Sequence, residues 1–172
     1  RDTIQGEVTP DARHVVFQSD ADDLVTNDHN GVGDIFARDM EAGVTALVSV
    51  NSAGTESGNG TSWGPAITPD GRFVAFVSAA SDLVASDTNR IPDVFLRDLE
   101  TGITTRVSVG AYSPLVSPYA TMDAPVITPD GRFVAFSSTA QGLVSAIETV
   151  HQEVYVRDLV LGQTTCPSTN VT

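Results

Sequence analysis

The segment Thr68-Pro-Asp-Gly-Arg-Phe-Val-Ala-Phe76 recurs unchanged from Thr128 to Phe136, and in looser form as Thr9-Pro-Asp-Ala-Arg-His-Val-Val-Phe17. Thr9, Thr68 and Thr128 stand 59 and 60 residues apart. A second block keeps step with the first: Asp34-Ile-Phe-Ala-Arg-Asp39, Asp93-Val-Phe-Leu-Arg-Asp98 and Glu153-Val-Tyr-Val-Arg-Asp158 each begin 24 residues after the proline of their repeat. Self-similarity at a fixed period marks a chain of stacked supersecondary units that bury their apolar faces against one another. The extra residue of the longer period falls in the tail from Ala111 to Met122, which reads as a surface loop.

Within a unit, Pro-Asp-Gly is a tight turn, because Pro presets φ and Gly accepts positive φ. It separates a short inner strand, Ala-Ile-Thr, from Phe73 to Ser78, which is apolar on both faces and so suits a strand covered on both sides. Asp93 to Leu99 reads as a third strand, and Thr104 to Val109 as a fourth, half-solvated one behind a Thr-Gly turn. The expected fold is therefore all-β: a β-propeller segment over 1–172 with three four-stranded antiparallel blades, at about 1–50, 64–110 and 124–170. Closed propellers use four to eight blades, so three make a partial propeller or half of an oligomeric ring. Three arrangements stand open: part of a longer chain, a two-fold pair of copies, or a non-closing filament joined through terminal strands.

Residues 81 to 102, Ser-Asp-Leu-Val-Ala-Ser-Asp-Thr-Asn-Arg-Ile-Pro-Asp-Val-Phe-Leu-Arg-Asp-Leu-Glu-Thr-Gly, resemble the WD-like propeller repeats of the TolB family, with Thr-Pro-Asp-Gly-Arg as the blade-opening turn. The resemblance runs through all three repeats. It implies a periplasmic or secreted bacterial setting, and a role as a partner-binding platform or as an accessory domain of a hydrolase.

Composition narrows the partners. There are 22 acidic and 9 basic residues, a formal charge of −13, and every basic residue is Arg. Such a chain repels phosphate backbones and anionic lipid surfaces, so neither nucleic-acid binding nor membrane insertion is expected. No apolar run approaches the length of a spanning helix. The single Cys166 permits no internal disulfide. The chain opens on Arg1 without a basic and apolar leader, which reads as a removed signal peptide or a cut piece.

The loop between second and third strands carries the frame Asp-x-Asn-x-x-x-Asp twice, as Asp28, Asn30 and Asp34 and as Asp87, Asn89 and Asp93. Oxygen-bearing side chains at alternate positions, followed by a further carboxylate, suit a hard cation such as Ca²⁺. Gly31 after Asn30 strengthens the likeness to a calcium loop, while the first carboxylate and distal Glu of the fuller pattern are missing. The competing reading is turn chemistry, since Asp and Asn also bond their own backbone. Repeat three has Ile147, Thr149 and Glu153 in these places, and no site is expected there.

Trp63, Tyr112 and Tyr119 fall in the tails linking one blade to the next, where aromatics either grip a peptide or sugar or pack between blades. The Arg38-Asp39, Arg97-Asp98 and Arg157-Asp158 pairs, present in every unit, read as structural ladders between neighbouring blades. His14, His29 and His151 occupy unrelated places. No His-Glu-x-x-His and no glycine-rich phosphate loop occurs, and no nucleophile elbow is expected. Two glycosylation sequons, at Asn59 and Asn170, read as coincidence. The functional expectation is a non-enzymatic binding or scaffold module for a protein or glycan partner, calcium-stabilised and self-assembling. The alternatives are an accessory propeller of a larger secreted hydrolase or lyase, and a structural subunit that polymerises.

Overall fold

A computed structural model describes residues 6–113, 121–145, 147 and 151–169. The tight turn of each repeat is built as its residue types demand. Thr68 Oγ1 donates to Asp70 Oδ1 at 2.5 Å and accepts from the backbone N–H of Phe73, and Gly71 takes φ 77°. The Thr9 and Thr128 turns repeat this arrangement. Each turn launches a strand that pairs in full register with the strand after it.

The first blade contains β1 (Gly6–Val8), β2 (His14–Ser19), β3 (Asp34–Asp39) and β4 (Val44–Leu47). The second contains β5 (Ser62–Ile67), β6 (Phe73–Ser78), β7 (Asp93–Asp98) and β8 (Ile103–Arg106). The third contains β9 (Val126–Ile127), β10 (Phe133–Ser138), β11 (Glu153–Asp158) and β12 (Gln163–Thr165). Every blade is an antiparallel sheet in sequential order, so the molecule is three blades of a β-propeller. The inner strand β5 is longer than the Ala-Ile-Thr segment expected, because a bulge between Trp63 and Ala66, with Gly64 at φ 63°, carries it further back along the chain.

Because side chains alternate across a strand, each middle strand serves two interfaces. Val74, Phe76 and Phe95 of the second blade pack with Val16, Ile35, Ala37 and Val48 of the first. Ala75, Val77, Val94 and Leu96 pack with Val134, Phe136 and Tyr155 of the third. A stacked aromatic pair crosses the middle of every blade: Phe17 with Phe36, Phe76 with Phe95 and Phe136 with Tyr155, with centroids 5.8, 6.0 and 5.8 Å apart. Adjacent blades also interlock at the turns. A Cβ on Gly71 would stand 2.3 Å from the His14 ring, and one on Gly131 2.5 Å from the Phe73 ring. The first blade has Ala12 at the equivalent turn, at φ 57°.

The Arg-Asp pairs do hold structure, but inside blades rather than between them. Arg38, Arg97 and Arg157 each donate to a threonine of the neighbouring outer strand, Thr45, Thr104 and Thr164. Asp39, Asp98 and Asp158 receive Arg13, Arg72 and Arg132 and the backbone N–H groups of the next turn. These distances close within one sheet because the two arms are registered neighbours, His14 with Asp39 and Phe73 with Asp98.

Candidate functional site

The long loop between the second and third strands is organised by its asparagine. In the first blade Asn30 Oδ1 accepts from Val32 N–H at 2.9 Å, and Nδ2 donates to Asp34 Oδ2 at 2.6 Å and to the Gly58 carbonyl at 2.8 Å. In the second blade Asn89 does the same with Ile91, Asp93 and the Ala111 carbonyl, at 3.1, 2.7 and 3.0 Å. The third position of the frame is a fully buried carboxylate tied to a serine fifteen residues on. Ser49 Oγ donates to Asp34 Oδ1 at 2.5 Å while accepting from Ile35 N–H, and Ser108 bridges Asp93 and Val94 N–H in the same way. In the third blade Ser168 bonds Glu153 Oε2 and Val154 N–H. Asn30, Asn89, Asp34 and Asp93 thus all take part in the hydrogen bonds that shape the loop.

Burial is the largest influence on both carboxyls. Asp34 is pushed up to about 6, against the pull of Ser49 and Asn30 and with a further push from the charges of Asp28 and Asp82. Asp93 is pushed up to about 7, with Asp87 adding to the rise and Ser108, Asn89 and Arg106 opposing it. The first positions, Asp28 and Asp87, are also buried. Asp87 has a partner: Arg106 Nη1 lies 3.3 Å from Asp87 Oδ1 and 3.7 Å from Asp93 Oδ2, so one guanidinium spans both acids. Asp28 Oδ1 is buried with no hydrogen-bond partner.

Sequence reasoning missed Arg106 and the three serines. The signal was available, since Ser49, Ser108 and Ser168 keep the repeat spacing, and Leu47, Arg106 and Cys166 occupy one repeat position. Of the aromatics, Trp63 is not in a linking loop: it lies within β5 opposite Val77 and packs against the core between the second and third blades. Tyr112 is 44% exposed and bridges to Gln141, whereas Tyr119 lies outside the described residues. Gly60-Thr-Ser-Trp-Gly64 carries the Gly-x-Ser-x-Gly spacing. A nucleophile elbow presents its serine on an exposed strand-to-helix turn. Ser62 instead begins a β-strand, is fully buried, and donates to Ser78 Oγ at 2.9 Å. His14, His29 and His151 sit at the start of β2, in the first-blade loop and just before β11. Among the described residues no three His, Cys, Asp or Glu side chains gather as a metal-binding group.

The inner strands border an open groove lined by Glu7, Ala66, Ile67, Pro125, Val126 and Ile127, among others. Glu7 Oε2 accepts from Ile67 N–H at 2.8 Å, fastening the first blade's inner strand to the second's. This arrangement, three four-stranded blades whose successive inner strands touch, β1 with β5 and β5 with β9, resembles solved structures. TolB from Acinetobacter baumannii matches 96% of this chain at 20% identity with a TM-score of 0.56. The fold is that of a TolB-like β-propeller. The β-propeller domain of the Trilobed protease from Pyrococcus furiosus matches 95% of the chain at 12% identity and a TM-score of 0.52. The tricorn protease matches 91% at 12% identity and 0.54. The chain spans 32% of the Acinetobacter protein and 42% of the Pyrococcus domain. No family model and no curated protein sequence matches it. No helix among the described residues is long and apolar enough to cross a membrane.

Proposed function

We propose that this chain is a non-catalytic propeller module that joins further blades of its own kind and offers its loop face to a protein or glycan partner in a periplasmic or secreted setting. The observation that carries this reading is an interface left half-made at each end. Val94 is fully buried between the second and third blades, whereas its repeat equivalent Val154 is 40% exposed. Leu83 is 1% exposed against the first blade, whereas its equivalent Leu24 is 39% exposed. Phe17 and Val15, the counterparts of the fully buried Phe76 and Val74, are only half-buried. The two ends thus present the two complementary halves of a contact that the chain already makes twice. A second copy, or further blades of a longer chain, would cover both.

One position sets a limit on how closely such a junction copies the internal ones. Ala12 stands where Gly71 and Gly131 make room for a ring of the preceding blade, so a neighbouring Phe133 must shift aside there. The likeness to the propeller domain of the Trilobed protease supports a second reading, in which the blades are the accessory domain of a larger hydrolase. Sedimentation equilibrium of the chain separates the readings. A dimer that Val154→Asp reduces to monomer is the expected result, because a charge buried in an apolar contact is strongly disfavoured. Open-ended growth into fibres favours a polymerising structural subunit. A monomer at every concentration sinks the self-association and leaves the accessory-domain reading standing.

A further inference from the structure

The first and second blades fold their acidic loops alike and neutralise them differently. In both, the asparagine and the serine hold the third-position carboxylate in the same hydrogen bonds. In the second blade the guanidinium of Arg106 reaches Asp87 Oδ1 and Asp93 Oδ2 together. Arg106 is registered with Phe95 on β7, and its counterpart on β4, registered with Phe36, is Leu47. Leu47 packs with Phe36 and Val50 and carries no charge. Neither Asp28 nor Asp34 has an arginine or histidine ion-pair partner among the described residues. Asp28 is only 2% exposed, and its Oδ1 has no hydrogen-bond partner.

The seal over Asp28 is built from backbone. Ser57 N–H donates to the Asn27 carbonyl at 3.0 Å and Ser57 Oγ accepts from His29 N–H at 3.3 Å, so the residues on either side of Asp28 are clamped to one serine. That serine directly follows a turn from 51 to 56 in which Asn51 N–H reaches the Glu56 carbonyl and Gly54 N–H the Asn51 carbonyl. Gly58 follows, and a Cβ there would stand 2.6 Å from Leu83 Cδ2, so the clamp presses directly against the second blade. Two carboxylates held in this way, one of them with an idle buried oxygen, cannot turn toward water to shed their repulsion. Burying like charges without compensation is expensive, and such groups are paired, protonated or bound to a metal ion.

We propose that the first-blade loop binds one hard divalent cation between Asp28 and Asp34, in the role that the Arg106 guanidinium fills in the second blade. Calcium is the fitting probe, because it accepts carboxylate, amide and backbone oxygens at irregular geometry. The two carboxylates supply the charge, and neutral oxygens of the loop complete the shell. The second loop is satisfied internally and takes no ion, although its Asp-x-Asn-x-x-x-Asp frame is the same.

Native mass spectrometry and thermal melts, each run with calcium, with magnesium and after chelation, test this on the intact chain. The wild type is expected to carry a single calcium ion and to melt at a higher temperature with calcium than without. Asp28→Asn abolishes both effects, and Leu47→Arg replaces the ion with an internal charge and removes the calcium response. Arg106→Leu is the reciprocal change and is expected to gain a second bound ion, with its melting temperature more calcium-dependent than that of the wild type. Absence of any calcium-bound species and of any melting shift in the wild type overturns the proposal, as does a shift that survives Asp28→Asn. A wild-type response confined to proton concentration, with no metal effect, means that Asp28 is neutralised by a proton instead.

Discussion

The loops of the first and second blades share a frame and a hydrogen-bond scheme; they differ within the loop, as at Gly31 against Arg90, and at a distant position, Leu47 against Arg106, which supplies the guanidinium that reaches the two acids. The third blade shows another solution. It has Ile147 where the others have a buried aspartate, Cys166 where they have Leu47 and Arg106, and a Glu153 that keeps its serine bond. The lesson is that one repeat scaffold holds the same loop with an aspartate paired internally, as at Asp87, with an aspartate that has no ion-pair partner among the described residues, as at Asp28, and with an apolar residue, as at Ile147. Position 28, 87 or 147 and position 47, 106 or 166 must therefore be read together.

The sharpest way to break the comparison is to remove the internal cation. Arg106→Leu leaves Asp87 and Asp93 buried side by side, and stripping one partner from a buried ion pair typically costs about 3–5 kcal/mol. Urea unfolding in the presence of a chelator should show a loss of that order, and a loss near zero would mean that the acids relax into water. A smaller effect is expected from pH. Asp93 is raised toward about 7 by burial, so the folded state binds its proton more tightly than the unfolded chain, whose ordinary value is 3.8. Stability therefore rises as pH falls from neutral toward that ordinary value, and the gain from this group is complete below it. Asp93→Asn should flatten this limb of a stability-against-pH curve, and an unchanged slope would assign the limb to another group.

The smallest effect comes from groups that all three blades share. Asp39 is held down to about 2 by the Ala42 N–H and by Arg13, and Asp98 and Asp158 to about 2 chiefly by Arg72 and Arg132. Their contribution is present above the ordinary carboxylate value and is lost as pH falls from there toward 2. Asp39 and Asp98 are half-buried and Asp158 is buried, but their partners Arg13, Arg72 and Arg132 are 48%, 41% and 39% exposed, so solvent still screens the pairs. Asp98→Asn should soften acid unfolding slightly, to the same extent with and without calcium. A calcium-dependent difference would show that the turns and the acidic loops are coupled.

Much of this fold was legible because its signals are local. The turn glycine, the aromatic in each middle strand and the arginine-aspartate ending of each third strand recur at fixed spacing, and each acts within a few residues or on its registered neighbour. The candidate site was half legible. Asn30 and Asn89 are turn organisers, which short-range spacing does suggest. Their companions Ser49 and Ser108 come from the far end of the blade and enter only because the outer strand folds back beside the third. Trp63 was misplaced for a similar reason, since a bulge extends the inner strand past the point where alternation breaks down.

The sequence by itself determined the unit: its length, its four strands, its turns and the number of copies, since all of these follow from periodicity and from backbone rules that act over a few residues. The tertiary structure alone decided which buried acids have a counter-charge. It also decided which apolar faces are finished, with Val94 covered and Val154 open. Both answers depend on residues brought together by strand pairing and blade stacking. Burial and charge neutralisation belong to the neighbourhood in space, and one repeat carries no record of the side chain that its neighbour will place against it.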